Sequence, residues 1–322
     1  MTRIVILFLL LPLLSFTQGK PRTVKAKNGD GIHSLLDRYK LDTPEHYKVF
    51  LELNQKKLNK NKFLIVGKEY ILPSSSEKKI SSYDIFGEKY KDVIIKDNAL
   101  KGAIYYIVAG HGGPDPGALG KRDGHTLSED EYAYDISLRL ARELISHGAI
   151  PYMITRDNDG IRDDAYLAND KDETIWKGKE IPRNTNKKLR QRARVVNKLY
   201  KKNKGRYQRM IVIHIDSRYK NQRVDIFGYY SSKSKSSKAF TERLINTVKT
   251  KYEKAQPGRG FSGIARSRDQ LYMIKYTSPV TTFLELGNIQ NPIDQIRFIK
   301  PSNRQAIAEW LSAGCILDFK SK

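Results

Sequence analysis

Apolar runs of strand length alternate with segments of helical periodicity between residues 104 and 317, and this alternation constrains the fold more than any other feature of the sequence. The strand-like runs are residues 104–109, 150–155, 210–215, 224–230 and 280–286, and the helical segments are 132–144, 189–200, 237–252 and part of 296–317. Such an order predicts an α/β domain with a mixed, largely parallel sheet and helices on both faces. In domains of this class, functional sites collect at the carboxyl ends of the strands.

A chain of 322 residues exceeds the usual size of one domain, and residues 23–73 form a separate pattern. An extended start is followed by the turn Asn28-Gly29-Asp30-Gly31, two amphipathic stretches of helical spacing, and a closing turn and strand. So short a segment can bury only a small core, which favours a βααβ binding module over an enzyme. Residues 74–100, which begin with a run rich in serine and lysine, are predicted to be a linker, and residues 101–322 the larger domain.

The first 19 residues have the three-part layout of a secretory signal peptide. Arg3 precedes an apolar run at residues 4–14, and a short stretch of mostly small or polar residues closes the segment at Gly19. The apolar run is short for a membrane span, and an uncleaved membrane anchor is the alternative. We therefore expect an exported protein of the periplasm or cell envelope, with no stable membrane insertion after signal cleavage.

The formal net charge of +24 would suit a polyanionic partner. However, the lysines are scattered or follow polar faces without interleaved aromatic residues, and an export signal argues against nucleic acid. We predict no nucleic-acid partner and attribute the charge to attraction toward an anionic cell envelope.

Two histidines and several carboxylates stand where strands would end or helices begin. His111 follows the first strand-like run in a glycine-rich loop, and His214 lies in the third run; either one alone is more often a satisfied polar residue. Glu129 and Glu131 open the next helix, where a carboxylate either reaches a site or balances the helix dipole. Glu285 is a lone acid in an apolar strand, a costly arrangement unless the acid is paired, protonated or functional. Imidazole and carboxylate together are the ligand types of a metal site.

Residues from about 105 to the C-terminus resemble the zinc-dependent N-acetylmuramoyl-L-alanine amidase family. The matching blocks, in the family's order, are residues 110–118, 155–156, 189–192, 212–217 and 283–291. The resemblance implies that His111, Glu129 and His214 bind Zn²⁺ and that Glu285 is catalytic. Apolar residues follow the family's glutamate ligand at fixed spacings, which fit Glu129 better than the alternative, Glu131.

This resemblance implies a peptidoglycan hydrolase that cuts the amide between N-acetylmuramic acid and L-alanine. Three protein ligands leave an open zinc position for water, and Glu285 would carry the water proton to the departing amine. A zinc peptidase acting within the stem peptide and a noncatalytic cell-wall-binding protein are the alternatives. Peptidoglycan is the expected partner, and the need for a protein activator stays open.

The N-terminal pattern, residues 23–73, resembles a LysM domain, the glycan-binding module of cell-wall proteins. The resemblance rests on Gly29-Asp30, Leu53-Asn54 and residues 66–73. Gly31 stands where the module usually has threonine. The implied role is peptidoglycan binding.

The larger segment departs from the amidase pattern at three places. Asp216 stands where asparagine is usual, and Asn288 replaces an aromatic residue. Both departures leave substrate preference open. Residues 156–188 are longer than the common core, and they form either a lid or regulatory insert or a surface loop.

Overall fold

The computed structural model describes residues 22–59, 61, 63–73, 80–217 and 222–322. The chain divides into two compact units, residues 1–77 and residues 78–322. The predicted signal peptide, residues 1–19, lies outside the described residues. Within those described ranges, no helix has both the length and the apolar character that a membrane crossing requires.

The first unit has the element order strand, helix, helix, strand. Its elements are β1 (Thr23–Lys25), α1 (Ile32–Arg38), α2 (Pro44–Asn54) and β2 (Glu69–Ile71). β1 pairs antiparallel with β2, and Leu36 and Phe50 from the two helices pack with Tyr70 in one small core. The buried Asn54 amide joins α2 to β2, because it donates to the Ile71 carbonyl at 2.8 Å and accepts from the Ile71 amide at 2.8 Å.

The second unit is built on a six-stranded sheet. The strands of the whole unit, six of which form this sheet, are β3 (Ile80–Ser82), β4 (Asp92–Ile94), β5 (Ile104–Ala109), β6 (Leu119–Arg122), β7 (His125–Ser128), β8 (Ile150–Met153), β9 (Thr155–Arg156), β10 (Thr174–Ile175), β11 (Lys179–Glu180), β12 (Gln208–Asp216), β13 (Ile226–Tyr230), β14 (Gly263–Ser267) and β15 (Val280–Asn288). Its helices are α3 (Glu129–Ser146), α4 (Thr185–Lys202), α5 (Lys235–Ala255), α6 (Tyr272–Lys275), α7 (Pro292–Ile299) and α8 (Pro301–Lys320).

The sheet has the strand order β14-β13-β15-β12-β5-β8, and every neighbouring pair is parallel except β13 and β15. Alternate residues of β5 face opposite layers: Tyr105 and Ile107 pack with α3, α5 and α8, whereas Tyr106 and Val108 pack with α4 and α6. The predicted α/β fold, with a mixed, largely parallel sheet and helices on both faces, is therefore confirmed.

Residues 80–100 pack within the second unit, although the sequence interpretation placed them in the linker. β3 and β4 form an antiparallel pair there, and Phe86, Val93 and Leu100 are buried in the same core as α3. The linker prediction extended too far because these apolar residues are widely spaced and show no strand or helix period. The terminal helix predicted within residues 296–317 is α8, which begins at Pro301 directly after the separate helix α7.

Candidate metal centre

Three of the predicted site residues converge at the carboxyl ends of the inner strands. His111 follows β5, His214 lies near the end of the neighbouring parallel strand β12, and Glu129 is the first residue of α3. Nε2 of His111 lies 3.2 Å from Oε2 of Glu129, and Nδ1 of His214 lies 2.8 Å from Oε1 of the same carboxylate. One ligand atom from each residue lies within 4.8 Å of the other two, so the three side chains form a compact donor set.

The loop that carries His111 depends on glycine at two positions of close approach. A Cβ added to Gly110 would lie 2.4 Å from the His214 ring, inside any normal contact distance. Gly117 has a φ of +72°, and a Cβ there would lie 2.7 Å from Oε2 of Glu129 and 2.8 Å from the His111 ring. The glycine-rich sequence therefore allows the backbone to pack directly against the three donors.

Glu129 is held firmly in place at the start of α3. Its Oε2 accepts a hydrogen bond from the Ala118 amide at 2.8 Å, and its Oε1 accepts one from the Ile215 amide at 3.0 Å. Burial acts to raise the pKa of the Glu129 carboxyl, but the bonds to His111 and His214 outweigh it and hold the pKa well below its usual value. The carboxylate is therefore ionised, as a metal ligand must be.

The two glutamates at the start of α3 face different surroundings. Oε2 of Glu131 pairs with Nη2 of Arg162 at 2.6 Å, and Oε1 of Glu131 accepts from the Asp170 amide at 3.0 Å. The structure brings Glu129, and not Glu131, against both histidines. The apolar spacing that favoured Glu129 in the sequence agrees with this arrangement.

A second group of residues orients the histidines. Nδ1 of His111 lies 2.9 Å from Oδ2 of Asp115, which leaves Nε2 directed at Glu129. Lys188 contacts the same Asp115 carboxylate, and Arg192 donates to the His111 carbonyl. The sequence interpretation assigned no role to Asp115 or Lys188. An acid four residues after a candidate ligand histidine, in one tight loop, was the available signal for Asp115.

The surroundings of His214 favour its neutral form. Burial lowers the pKa of His214, and the opposing effect of the Glu129 carboxylate does not restore it. The ring stacks on Phe283 with centroids 4.5 Å apart. A neutral imidazole with a fixed ring is the form that binds a metal ion.

Glu285 lies on β15, directly beside His214 in the parallel pairing of β12 with β15. Residues paired in this way project from the same face of a sheet, and Phe283, two residues earlier, contacts His214 on that face. The Glu285 side chain is half-buried. The position suits a carboxylate that acts next to the three donors.

A cavity of about 300 Å³ opens beside the two histidines. Its polar wall includes Asp115, Lys188 and Arg192, and its apolar wall includes Val212 and Met273. Residues 156–188, whose role the sequence left open, contribute Thr185 and Lys188 to its lining. The cavity offers an apolar surface, cationic groups and the two candidate ligand histidines to one ligand.

Two residues near the site that depart from the amidase sequence pattern lie at the ends of neighbouring strands. Asp216 of β12 is the register partner of Asn288 of β15, and both side chains are buried. The side-chain amide of Asn288 donates to the Gln222 carbonyl at 2.9 Å, and the backbone amide of Asn288 donates to the Asp294 carboxylate at 3.0 Å. Asn288 therefore has a structural role in holding the chain that follows β12.

Comparison with known proteins assigns the second unit to a family. The family model described as N-acetylmuramoyl-L-alanine amidase matches residues 106–316, which is more than half of the chain. A germination-specific N-acetylmuramoyl-L-alanine amidase of Bacillus subtilis is 23% identical over 227 residues, which cover 69% of this chain and 82% of that protein. An uncharacterised cell wall amidase of Bacillus anthracis is 25% identical over 230 residues, or 70% of this chain but 36% of that protein.

A solved structure shows the same fold. The CwlD amidase from Clostridioides difficile, in complex with the GerS lipoprotein, matches with a TM-score of 0.52 and 18% identity, covering 69% of this chain and 100% of that one. The family match spans β5 to α8 and includes every element that positions the donor set. The chain therefore belongs to the N-acetylmuramoyl-L-alanine amidase family.

Proposed function

We propose that this protein is a zinc-dependent amidase that hydrolyses the bond between N-acetylmuramic acid and the L-alanine of the peptidoglycan stem peptide. The single observation that carries the proposal is the convergence of His111, Glu129 and His214 within the segment that matches the amidase family. Family membership supports the substrate, and the donor set supports the metal.

The donor set fits zinc in chemistry and in spacing. Two imidazoles and one carboxylate form a common catalytic zinc site, in which each donor lies about 2.0 to 2.2 Å from the ion and two donors about 3.4 Å apart. The contacts of 3.2 Å and 2.8 Å from His111 and His214 to Glu129 are close to that separation. Small side-chain adjustments would therefore bring His111, Glu129 and His214 onto one ion.

When bound, zinc would supply a Lewis acid that lowers the pKa of a water ligand to about 7 and polarises the scissile carbonyl. Asp115 holds the His111 ring so that Nε2 points into the site. Glu285 takes the proton of the attacking water and delivers it to the departing amine of L-alanine. The carbonyl belongs to the lactyl group of muramic acid, so the reaction separates the stem peptide from the glycan.

The cavity suits a substrate that carries both carboxylates and apolar groups. Lys188 and Arg192 are cationic groups in its wall, and stem peptides and muramic acid products carry carboxylates. The apolar side chains opposite them provide a surface for the lactyl and alanyl methyl groups. We assign these residues to substrate binding on this basis.

The first unit is proposed to localise the enzyme on its substrate. Its βααβ order and the sequence of residues 23–73 support a LysM-like glycan-binding role. Export to the periplasm or cell envelope follows from a peptidoglycan substrate and from the signal-like residues 1–19. A solved amidase of this fold is in complex with a lipoprotein, and this supports a protein activator as a further partner.

The test is metal-dependent release of stem peptides from purified muropeptides. Zinc-loaded protein should produce peptides with a free N-terminal alanine, the metal-free protein should be inactive, and added zinc should restore the reaction. His125→Ala is the matched control, because His125 is an exposed histidine outside the donor set. Cleavage that persists without metal, or zinc-dependent cleavage inside the stem peptide, would contradict the proposal.

A further inference from the structure

A second cluster of carboxylates includes residues of the first turn of α3. Asp130 and Glu131 follow the candidate ligand Glu129, and the segment after β9 adds Asp157, Asp170 and Glu173. Ligand oxygens of Asp157, Asp170 and Glu173 lie within 4.8 Å of one another, and Glu173 also groups with Asp130 and Glu131. In a chain of net charge +24, so dense a group of acids requires a physical explanation.

Two carboxylate oxygens in this cluster are buried without a hydrogen-bond partner among the described residues. They are Oδ2 of Asp157 and Oε1 of Glu173, and the residues are only 9% and 3% exposed. The other oxygen of each carboxylate is occupied: Oδ1 of Asp157 accepts from the Asp159 amide at 3.0 Å, and Oε2 of Glu173 accepts from the Gly113 amide at 2.6 Å. Buried polar atoms are rarely left unpaired, and an ion is one common partner.

Nearby cations balance only part of this charge, through the electrostatic effects of Arg162 on Asp157 and of Arg192 on Glu173. Arg162 pairs with Glu131 and Asp159, but no ion pair among the described residues joins a lysine or arginine to Asp157, Asp170 or Glu173. Burial, together with the neighbouring carboxylates, raises the pKa of Asp157 to about 7 and also raises the pKa of Asp170 and Glu173. The cluster is therefore costly to bury when it is ionised and has no counterion.

We propose that Asp157, Asp170 and Glu173 bind one divalent cation, Ca²⁺ in preference to Mg²⁺, at a site separate from the His111, Glu129 and His214 donor set. Hard carboxylate oxygens are the ligands of Ca²⁺, which binds them at about 2.3 to 2.6 Å, so ligands on opposite sides of the ion lie up to about 5 Å apart. The oxygen separations of at most 4.8 Å fall within that span. Calcium is favoured because Mg²⁺ keeps several waters, which a buried site of clustered carboxylates accommodates poorly.

A cation at this site would connect the segment after β9 to the loop of the candidate metal centre. Glu173 would bind the ion through one oxygen and hold the Gly113 amide with the other, and Gly113 is two residues from His111. A Cβ added to Gly112 would also lie 3.3 Å from the Glu173 side chain, so the two segments are in direct contact. Calcium would thus fix the loop that positions His111.

Titration of the zinc-loaded full-length protein with Ca²⁺ tests the proposal. Calorimetry should detect one Ca²⁺ per chain, and the melting temperature should rise with calcium. Asp157→Asn and Asp170→Asn should each weaken calcium binding at least about tenfold, because each removes a charged ligand. Asp164→Asn is the matched control, since Asp164 is an exposed acid of the same segment outside the cluster.

The melting temperatures of Asp157→Asn and Asp170→Asn without calcium show whether these variants fold. Each substitution removes a repulsive charge, so both variants should melt at or above the temperature of the calcium-free parent, which shows that they fold. Absence of stoichiometric calcium binding by the parent would overturn the proposal. Binding that neither substitution weakens, or a site that takes Mg²⁺ more tightly than Ca²⁺, would overturn it as well.

Discussion

Gly117→Ala tests whether the proposed metal centre depends on a close approach that only glycine permits. The added Cβ would lie 2.7 Å from Oε2 of Glu129, whereas ordinary contacts begin at 3.4 Å, so the donors must move by about 0.7 Å. Zinc sites tolerate changes of about 0.2 Å in ligand distance. The required shift is several times larger, and we expect zinc affinity to fall on the order of 10- to 100-fold, as when a supporting residue of a metal site is lost.

The assay is competition for zinc with a chromogenic chelator, together with a thermal melt. Gly124→Ala is the matched control, because Gly124 has a φ of +81° but nothing within 4 Å of an added Cβ. Both substitutions carry the left-handed backbone cost of about 1 to 2 kcal/mol and should lower the melting temperature. Only Gly117→Ala should lose zinc affinity; equal zinc affinity in the two variants would refute the steric argument.

Three further perturbations address the site and the first unit. His111→Ala should abolish stoichiometric zinc and turnover together, measured by metal analysis and muropeptide hydrolysis, whereas His125→Ala should retain both. Asp115→Asn should weaken zinc binding by about 10- to 100-fold, because the asparagine no longer offers a carboxylate to the His111 ring; unchanged affinity would exclude the orienting role. Deletion of residues 22–73 should reduce sedimentation with sacculi but leave hydrolysis of soluble muropeptides nearly unchanged, and a large loss on soluble substrate would place that unit in the active site.

The order of elements in the second unit was predictable because buried strands such as β5 and β12 are continuous apolar runs. The direction of β13 was not, since a pair of strands carries the same apolar period whether it runs parallel or antiparallel. β14 was missed because most of its residues are not buried, so it lacks an apolar run. The spacing of apolar residues in a segment indicates which residues are buried. The direction in which two strands pair depends instead on how the chain connects them.

The candidate site was partly predictable for a similar reason. His111 and His214 stood out because each lies at the end of an apolar strand, and the apolar spacing after Glu129 separated it from Glu131. The contact of Lys188 with Asp115 joins residues 73 positions apart, so no local pattern could indicate it. Contacts between distant segments become visible only once the sheet brings those segments together.

Glu285→Gln tests the proton transfer in the proposed mechanism. The amide keeps the size of the carboxylate but cannot act as a base, so zinc content and melting temperature should persist while turnover falls by about 10²- to 10⁴-fold. Loss of stability with normal specific activity of the folded fraction would instead indicate a structural ion pair.

The most direct test of the central claim is hydrolysis of muropeptides in water enriched in oxygen-18, followed by mass spectrometry of both products. An amidase acting between muramic acid and L-alanine places the heavy oxygen in the lactyl carboxylate of the glycan fragment and leaves the released peptide with an unlabelled, free N-terminal alanine. We predict that pattern, dependent on zinc and on His111. Heavy oxygen in a carboxylate of the peptide, with the glycan fragment unlabelled, would contradict the account.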